Sequence, residues 1–431
     1  MSEESHGHAA DCIVVGAGLA GLACGRELAR AGRRVLVVEA ADRVGGRVAT
    51  DTCDGFRIDR GFQVYNDAYP EGRRQLDLGR LQLGRFEPGA LVAEGGRLRR
   101  VADPWRRPLI AIGAVLDGSV GIGDGVRTAR LRSDVLRALA TGRLDPDAAA
   151  AAVDRTTREE LLARGFSSVF IRRFFVPFFG GVFLERGLDT SADVFRFDFA
   201  MFARGSACLP RGGMDAIPRQ LAAALPADAV RLNARVERVE PGRVVLAAGG
   251  ELAAAAVIVA TEGTAAARLL PPEHRGHLAA RRWKSTRLVA FAAERSPLAS
   301  PTLVVSAADE GPIDNLTVPS DVAADYAPAG RSLVYASVRG DWHGDDAGLA
   351  DAIRGQAVGW FGEAVRTWRQ LATVRVEQAL PDESPASRRQ RPTAGRIAPG
   401  LFLCGDHCGS ASINGALASG RRCAEAVLTP A

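Results

Sequence analysis

The chain has 431 residues, which is more than one ordinary hydrophobic core accommodates and favours two domains. Hydrophobic residues make up 47% and charged residues 24%, as in soluble globular proteins, and no apolar run reaches the roughly 20 residues that cross a bilayer. The net charge is +5, carried almost entirely by arginine without interleaved aromatic residues, so we expect no nucleic-acid partner.

The chain begins with a short polar segment, residues 1–12, that lacks the basic and then apolar plan of a secretory signal. We therefore expect a cytoplasmic protein. The seven cysteines agree with that compartment, because their number is odd and they form no CxxC pair. Cys404 and Cys408 lie four positions apart without a second ligand pair, so the sequence predicts no metal site.

The first elements predict a βαβ unit. Residues 12–15 form an apolar run suited to a buried parallel strand, and residues 19–31 have a helical apolar spacing that Gly32 ends. A second strand, residues 35–38, finishes at Glu39. Parallel strands joined by a helix in this way take a right-handed crossover.

Residues 77–202 differ in character, because helix formers dominate there, as in residues 135–144 and 147–164. This stretch also carries more than half of the 17 phenylalanines, namely Phe166, Phe170, Phe174, Phe175, Phe178, Phe179, Phe183, Phe195, Phe197, Phe199 and Phe202. The pattern fits a helical core or the apolar wall of a substrate cavity, and the two interpretations are compatible.

Strand patterns return at residues 230–239, 244–246, 257–261, 288–292, 333–338 and 374–378, with a helix at residues 349–361. The chain closes with a strand at residues 401–404 and a helix at residues 414–427. The sequence therefore predicts an α/β fold with a discontinuous Rossmann-like domain, residues 1–75, 206–285 and 385–431. A mixed helical and sheet (α+β) substrate domain, residues 76–205 and 286–384, is inserted into it.

A GxGxxG motif joins the first strand to the first helix, with Gly16, Gly18 and Gly21 at its glycine positions. The first glycine permits the tight turn, the second lets the backbone approach a pyrophosphate, and the third allows the helix to pack closely on the strand. The helix N-terminus, at Leu19 and Ala20, stabilises phosphate charge. Glu39 would accept hydrogen bonds from a ribose diol, so the sequence predicts dinucleotide binding.

The next motifs indicate which dinucleotide is bound. The segment 39–47, which contains Gly45, Gly46 and Arg47, resembles the second signature of the flavin amine oxidase, phytoene (carotenoid) desaturase and protoporphyrinogen oxidase superfamily. The glycines let the chain pass near the flavin diphosphate, and the arginine supplies a planar cation beside it. The following segment, 59–63 with Gly61 and Phe62, is similar to the strand that passes under the flavin in that superfamily.

The resemblance continues towards the C-terminus. Residues 209–214 are similar to a Pro-x-Gly-Gly-Met return into the flavin domain, and Val236 matches a strand whose backbone meets adenine. Gly405 and Asp406 match the strand whose acid contacts ribityl or phosphate oxygens. Ser412, Ile413 and Asn414 match the helix start that faces the flavin pyrimidine, where N–H groups favour negative charge. The resemblance thus implies FAD, held by all of these positions.

The branch of the superfamily is less clearly indicated. Residues 379–381, Ala-Leu-Pro, resemble desaturases and protoporphyrinogen oxidases. Monoamine oxidases carry a cysteine for covalent flavin, which residues 385–399 lack, so we expect non-covalent FAD. They also place aromatics around the amine, yet no Tyr or Trp follows Asp406 here. Their lysine near flavin N5 corresponds to Thr286, and the chain's only lysine, Lys284, lies two residues earlier on the same strand face.

The resemblance therefore implies an FAD-dependent dehydrogenase or desaturase that transfers hydride from a hydrophobic, isoprenoid or polycyclic substrate to flavin N5. An amine or amino-acid oxidase, a flavin-dependent isomerase without net redox change, and a non-catalytic flavin-binding scaffold are the alternatives. The chemistry requires no acid–base pair, and the sequence identifies no catalytic residue. Gln63 and Tyr65 are candidates for polar groups that face the substrate, with roles in packing or in a turn as the alternative.

The expected partner is a small hydrophobic molecule, and the sequence does not predict the oligomeric state. Residues 104–116 combine a tryptophan and two arginines with an apolar run. This pattern is typical of a buried helix beside a basic surface or of an interfacial helix in peripheral contact with a membrane, and both interpretations stay open.

Overall fold

The computed structural model describes residues 10–102, 121–147, 155–276, 278–307, 311–339 and 342–429. Helices and strands form two large sheets, three small sheets and a helical layer over this part of the chain. The α-helices there are Leu19–Arg30, Pro70–Gln75, Leu78–Leu81, Ile122–Ala140, Thr157–Ala163, Ser168–Phe170, Val176–Phe183, Ala192–Arg204, Ala216–Ala222, Gly263–Leu269, Pro319–Val322, Asp346–Phe361, Pro385–Arg389 and Ile413–Leu428. None of these helices is long and apolar enough to span a bilayer.

The first large sheet, called the parallel sheet below, has six strands. Their order across the sheet is Val230–Arg231, Val35–Val38, Cys12–Val15, Ala256–Val259, Leu401–Leu403 and Gly395–Ala398. All neighbours run parallel except the last pair. The two central strands are buried along their whole length, as expected for apolar β-branched runs with helices on both faces.

The predicted βαβ unit is confirmed, since helix Leu19–Arg30 links the strands at 12–15 and 35–38. The last helix, Ile413–Leu428, packs directly on this first helix. Gly420 makes the contact possible, because a Cβ there would lie 2.2 Å from the carbonyl oxygen of Ala20. The last helix is thereby held beside the first helix, which begins at the glycine turn.

The second large sheet, called the mixed sheet, has seven strands. Their order is Arg369–Pro381, Trp283–Ala293, Ser332–Arg339, Asn315–Thr317, Leu303–Ser306, Gly89–Glu94 and Arg97–Ala102. Only the pair 303–306 and 89–94 runs parallel. Helix Asp346–Phe361 buries Leu349, Ala350 and Ile353 against this sheet. In the small sheets, 50–53 pairs with 56–59, the central strand 243–246 pairs with 236–240 and 251–253, and the central strand 207–209 pairs with 65–66 and 84–85.

The phenylalanine-rich stretch forms a helical layer. Residues 168–183 make one continuous helix because a π-helical segment, Ile171–Phe175, joins Ser168–Phe170 to Val176–Phe183. Helix Ala192–Arg204 packs beside it, and Phe175, Phe179 and Phe195 are fully buried between them. This layer was predicted as a helical core, and these buried rings confirm that interpretation.

Several boundaries differ from the sequence-based expectation. The helix expected at 135–144 runs over Ile122–Ala140, and the described part of 147–164 contains only the shorter helix Thr157–Ala163. The strand expected at 230–239 divides into two strands in different sheets, because Asn233 adopts φ = 53° and turns the chain. A hairpin, 89–102, lies within the stretch expected to be helical.

The predicted fold class is confirmed, because the parallel sheet draws its strands from three separate stretches of chain and the other sheet and the helical layer lie between them. The residue boundaries given above for the two domains stay a prediction. The proposed membrane-facing segment, residues 104–116, lies outside the described residues.

Candidate flavin and substrate site

The glycine turn after the first strand has the geometry that a dinucleotide requires. Gly16 has φ = 108°, a conformation that disfavours side chains, and a Cβ on Gly21 would lie 2.0 Å from the carbonyl oxygen of Gly16. Gly18 differs, because a Cβ there would meet nothing within 4 Å. Gly18 also starts helix Leu19–Arg30 without a side-chain cap and without an acidic residue in the first turn. The open helix N-terminus therefore faces free space.

Glu39 lies at the end of the neighbouring strand and is tied to the same turn. Its carboxylate accepts hydrogen bonds from the backbone N–H groups of Ala17, at 2.7 Å, and Ala41, at 2.9 Å. The side chain is half-buried and lines the cavity described below. Its position at the carboxyl edge of two adjacent parallel strands is where a ribose diol is bound in dinucleotide folds.

The loop that contains Gly45 and Gly46 lies against the GxGxxG turn. The N–H of Gly45 donates to the carbonyl oxygen of Ala17 at 2.8 Å, and a Cβ on Gly46 would lie 3.6 Å from the Cα of Gly18. Both residues have positive φ, 119° and 61°. The loop thus needs glycine twice, once for its own turn and once for its approach to the GxGxxG motif.

Arg47 connects this loop to the C-terminal part of the chain. Its Nη2 donates to Oδ1 of Asp406 at 2.6 Å, its Nη1 donates to the carbonyl oxygen of Ala379 at 2.9 Å, and the guanidinium lies 5.5 Å from the ring centroid of Trp283. Burial opposes ionisation of Asp406, but the adjacent Arg47 outweighs it and lowers the pKa of that carboxyl. A planar, fixed cation is therefore present beside the glycine loops.

The C-terminal motif is positioned by the last helix. The N–H of Gly405, at φ = 152°, donates to Oγ of Ser419 at 2.9 Å. Ser412 caps helix Ile413–Leu428, since its Oγ accepts a hydrogen bond from the N–H of Gly415 at 2.9 Å. This places the start of the helix at the same cavity as Asp406.

One continuous cavity of about 790 Å³ brings most of these positions together. All but three of the predicted cofactor residues line it: Gly16, Gly18, Leu19, Ala20, Glu39, Gly45, Gly46, Arg47, Gly61, Phe62, Gly405, Asp406, Ser412 and Ile413. Gly21 lies behind the turn, where it permits the close packing described above. Val236 packs in a separate core cluster, and the side chain of Asn414 is buried, where its oxygen accepts from the N–H of Glu71.

The same cavity extends to the helical layer, where phenylalanines form its wall. Those lining it are Phe170, Phe174, Phe178, Phe179, Phe183, Phe199 and Phe202. Phe170, Phe174 and Phe178 stack in sequence, with ring centroids 5.3 and 6.0 Å apart. Their spacing of four residues puts them on one face of the continuous helix. Both interpretations of the phenylalanines therefore hold, since some rings fill the core and others line the cavity.

The cavity wall contains both positions that the sequence analysis compared with the lysine of monoamine oxidases. Lys284 and Thr286 both line the cavity, as their common strand face predicts. The ammonium of Lys284 forms an ion pair with Glu185 and donates to Oγ1 of Thr190 at 3.3 Å. Glu185 lies 99 residues away in the chain, so no local signal indicated this pair.

Of the two candidates for polar groups that face the substrate, one lines the cavity and the other does not. Gln63 lines the cavity, and its Nε2 donates to the carbonyl oxygen of Arg47 at 2.9 Å. Tyr65 is fully buried and does not line the cavity, so it packs in the core and does not face the substrate. Its strand, Tyr65–Asn66, pairs with Ala207–Leu209 and turns the ring inward against Gly72.

Sequence reasoning missed Asp198 and Asn66, which both line the cavity. Asn66 is buried, and its Nδ2 has no hydrogen-bond partner among the described residues. Asp198 lies among the wall phenylalanines of helix Ala192–Arg204. An aspartate in a helix pattern otherwise indicates a solvated face, so the pattern did not distinguish Asp198 as a site residue.

The residues present fit FAD by their own geometry. The open helix N-terminus at Gly18, the side-chain-free loops at 45–46 and the carboxylate of Glu39 provide for a diphosphate and a ribose. No cysteine lines the cavity among the described residues. The site therefore contains the donor set of a dinucleotide site and no thiol for a covalent flavin bond.

Comparison with known proteins agrees with this geometry. Residues 19–428 match the model of the family described as flavin-containing amine oxidoreductase. Over 269 residues the sequence is 34% identical to phytoene dehydrogenase of Streptomyces griseus, covering 53% of this chain and 48% of that protein. Over 53 residues it is 55% identical to putrescine oxidase of Kocuria rosea, covering 12% of this chain and 11% of that protein.

The fold is similar to the solved structure of a putrescine oxidase triple mutant, with a TM-score of 0.73. The likeness covers 97% of this chain and 98% of that one at 18% sequence identity, and it concerns the fold. The sequence match to phytoene dehydrogenase spans about half of that relative's length.

Proposed function

This chain belongs to the flavin-containing amine oxidoreductase family, with FAD as its cofactor, and we propose that it is a dehydrogenase of a hydrophobic, isoprenoid or polycyclic substrate. The observation that carries the proposal is the continuity of one cavity between the glycine motifs and a wall of phenylalanines. The similarity to a phytoene dehydrogenase over half of the chain supports the same substrate class.

FAD, when bound, supplies a hydride acceptor at flavin N5. The contribution of this chain is then to bind and orient. The phenylalanines at 170, 174 and 178 offer an apolar surface that holds a hydrophobic substrate and excludes water from it. The neighbouring carbon of the substrate loses a proton in the same dehydrogenation, and water accepts this proton, so the step needs no dedicated base. This agrees with a wall in which most charged groups are already paired.

We further propose how the cofactor is held. The turn at Gly16 and Gly18 would take the diphosphate, Glu39 the adenosine ribose, and Arg47 with Asp406 the flavin end. The absence of a cysteine from the cavity lining among the described residues supports non-covalent FAD. Val236 and Asn414, which do not line the cavity, would act through their backbone or through packing.

A second candidate is oxidation of an amine. The specific observation in its favour is that Lys284 lines the cavity together with Thr286, the position where the family's lysine was expected. Two of the similar proteins are putrescine oxidases by name. Lys284 is, however, held in an ion pair with Glu185, which leaves it less free to position water.

The two candidates are separated by reduction of the bound flavin. The purified flavoprotein is mixed without oxygen with a panel of polyenes and other isoprenoids and, separately, with a panel of amines. We expect loss of the oxidised flavin band, at roughly 450 nm, with an isoprenoid and not with the amines. Bleaching by amines, with peroxide released on readmission of oxygen, would favour the second candidate.

The same samples test the remaining alternatives. Product formation that needs prior reduction of the flavin and consumes no electrons would indicate an isomerase. Flavin that stays oxidised with every compound would contradict both proposals and favour a binding role. A protein that carries no flavin and takes up none would contradict the cofactor assignment.

A further inference from the structure

Asp198 lines the cavity, and its carboxylate has neither an ion pair nor a hydrogen bond among the described residues. Several other charged groups at the cavity are held in ion pairs: Arg47 with Asp406, Lys284 with Glu185, and Glu383 with Arg281 and Arg388. Its side chain is half-buried, and what it exposes lies towards the cavity.

Its position in the helix explains why the carboxylate faces the cavity. Val194, Asp198 and Met201 recur at helical spacing in Ala192–Arg204, and all line the cavity. Phe199 and Phe202 flank this stripe. Solvation at the protein surface therefore does not account for an aspartate at this position.

The surroundings of Asp198 favour a ligand that donates to it. Burial, and next the negative charge of Glu383, raise the pKa of Asp198 to about 7. Glu383 is itself held by Arg281 and Arg388, at 3.1 and 2.8 Å, so these two cations are already paired. Tyr69 also lines the cavity, and its ring stacks on Phe197 with the centroids 6.4 Å apart; burial and next the charge of Asp198 raise the pKa of its hydroxyl.

We propose that Asp198, with the hydroxyl of Tyr69 beside it, binds a hydrogen-bond donor, a hydroxyl or an ammonium group, on an otherwise apolar substrate. This inference rests on the proposed hydrophobic substrate and adds a specificity-determining residue to it. The phenylalanine wall accepts the hydrocarbon skeleton, and the Asp198 carboxylate determines which end of the skeleton lies beside it. A buried polar group that recognises a donor strongly disfavours a ligand that lacks one.

Three probes of one skeleton test the proposal: farnesol, farnesylamine and the hydrocarbon farnesene. Binding to the oxidised FAD protein is followed without oxygen by the shift of the flavin spectrum. We expect farnesol or farnesylamine to bind the unmodified protein at least about tenfold more tightly than farnesene, the range expected for a hydrogen bond to a charged acceptor. Asp198→Leu should remove this preference and leave farnesene binding equal or stronger.

The head group is identified by Asp198→Asn, which retains hydrogen bonding and loses the negative charge. If the bound group is an ammonium, this variant loses farnesylamine and keeps farnesol; if it is a hydroxyl, farnesol binding changes little. Tyr69→Phe should weaken the same probe to a lesser extent. Asp193→Asn, on the same helix and paired with Arg196, is the matched control and should bind all three probes as the unmodified protein does.

Equal binding of the three probes, or a head-group preference that survives in Asp198→Leu, would overturn the assignment of Asp198 while farnesene binding still supports an apolar substrate. If none of the three probes binds the unmodified protein, the proposed substrate class fails and this assignment fails with it. The circular-dichroism spectrum and retained flavin of each variant show that the protein is folded.

Discussion

Replacing Gly18 with alanine separates what this glycine does for the protein from what it does for the cofactor. The backbone at Gly18, φ = −72° and ψ = 177°, is available to alanine without strain. An added Cβ would meet no protein atom within 4 Å. The loss of glycine at the helix start should therefore cost the apoprotein at most about 1 kcal/mol of unfolding free energy.

The effect on FAD should be larger. If the diphosphate approaches the backbone at Gly18, the new methyl group must be accommodated between them, which costs about 1–3 kcal/mol. That corresponds to a roughly 5- to 150-fold increase in the Kd for FAD. Titration of apoprotein with FAD, followed by quenching of flavin fluorescence, measures the Kd, and urea unfolding of the apoprotein measures stability.

Gly21→Ala is the matched comparison. Its Cβ would lie 2.0 Å from the carbonyl oxygen of Gly16, so the helix has to move away from the strand whether or not FAD is present. We expect the apoprotein itself to lose about 3 kcal/mol or more. An unchanged Kd for FAD in Gly18→Ala would refute the assignment of this position to the diphosphate. If the Gly18→Ala apoprotein were as unstable as the Gly21→Ala apoprotein, the claim that the space beside Gly18 is open would be refuted.

Three further changes test how charge is held in the fold. Arg47→Ala should destabilise the protein by ~3–5 kcal/mol because it leaves Asp406 buried without its cation. Because Arg47 lowers the pKa of Asp406, the stability that the ion pair contributes is present above the ordinary pKa of the carboxyl and is lost as the pH falls through the lowered pKa. Urea unfolding should therefore show the full loss of stability at neutral pH and a smaller loss in acid. Arg34→Ala, which removes the cation of an exposed pair, is the control. Lys284→Met should cost ~3–5 kcal/mol by the same argument, whereas the double variant Lys284→Met/Glu185→Leu should recover most of it, and additive losses in the two single variants would contradict the pairing. Burial raises the pKa of Asp59 to about 6, although hydrogen bonds from Thr50, Met214 and Tyr326 oppose this shift. The stability that this group contributes is therefore full below about pH 4 and is lost as the pH rises through 6. The loss is about 1.4 kcal/mol for each unit by which the pKa is raised. Unfolding curves of Asp59→Asn should lack that slope, and a slope that persists in the variant would assign it to another group.

The cofactor half of the site was predictable because its chemistry depends on backbone. A turn at φ = 108° or 119° excludes most side chains, so Gly16 and Gly45 appear in the sequence wherever that backbone is required. Such constraints act over a few residues and leave a local motif. Motifs locate the chain and not each side chain, which is why Val236 and Asn414 were selected although neither lines the cavity.

The phenylalanine wall of the substrate half was predicted, but its polar groups were not, for the opposite reason. Its polar groups meet across the fold, as Lys284 and Glu185 do at a separation of 99 residues, and no spacing in the sequence relates them. The hairpin 89–102 did leave a signal, since Gly95 and Gly96 adopt φ = 59° and 70° between two strands, a pattern of tight hairpin turns. The arginines at 97, 99 and 100 are exposed on the edge strand of the mixed sheet.

The pairing of charges in the cavity wall bears on which substrates this fold accepts. An ion pair such as Arg47 with Asp406 stays compensated when a hydrocarbon displaces water from the cavity, so it adds little to the cost of binding an apolar molecule. An unpaired carboxylate behaves differently, because the same displacement removes its solvation and must be offset by a proton or by a donor from the ligand. Asp198 therefore contributes to selection among apolar molecules that fit the phenylalanine wall equally well, and hydrophobicity of the cavity alone does not define the substrate.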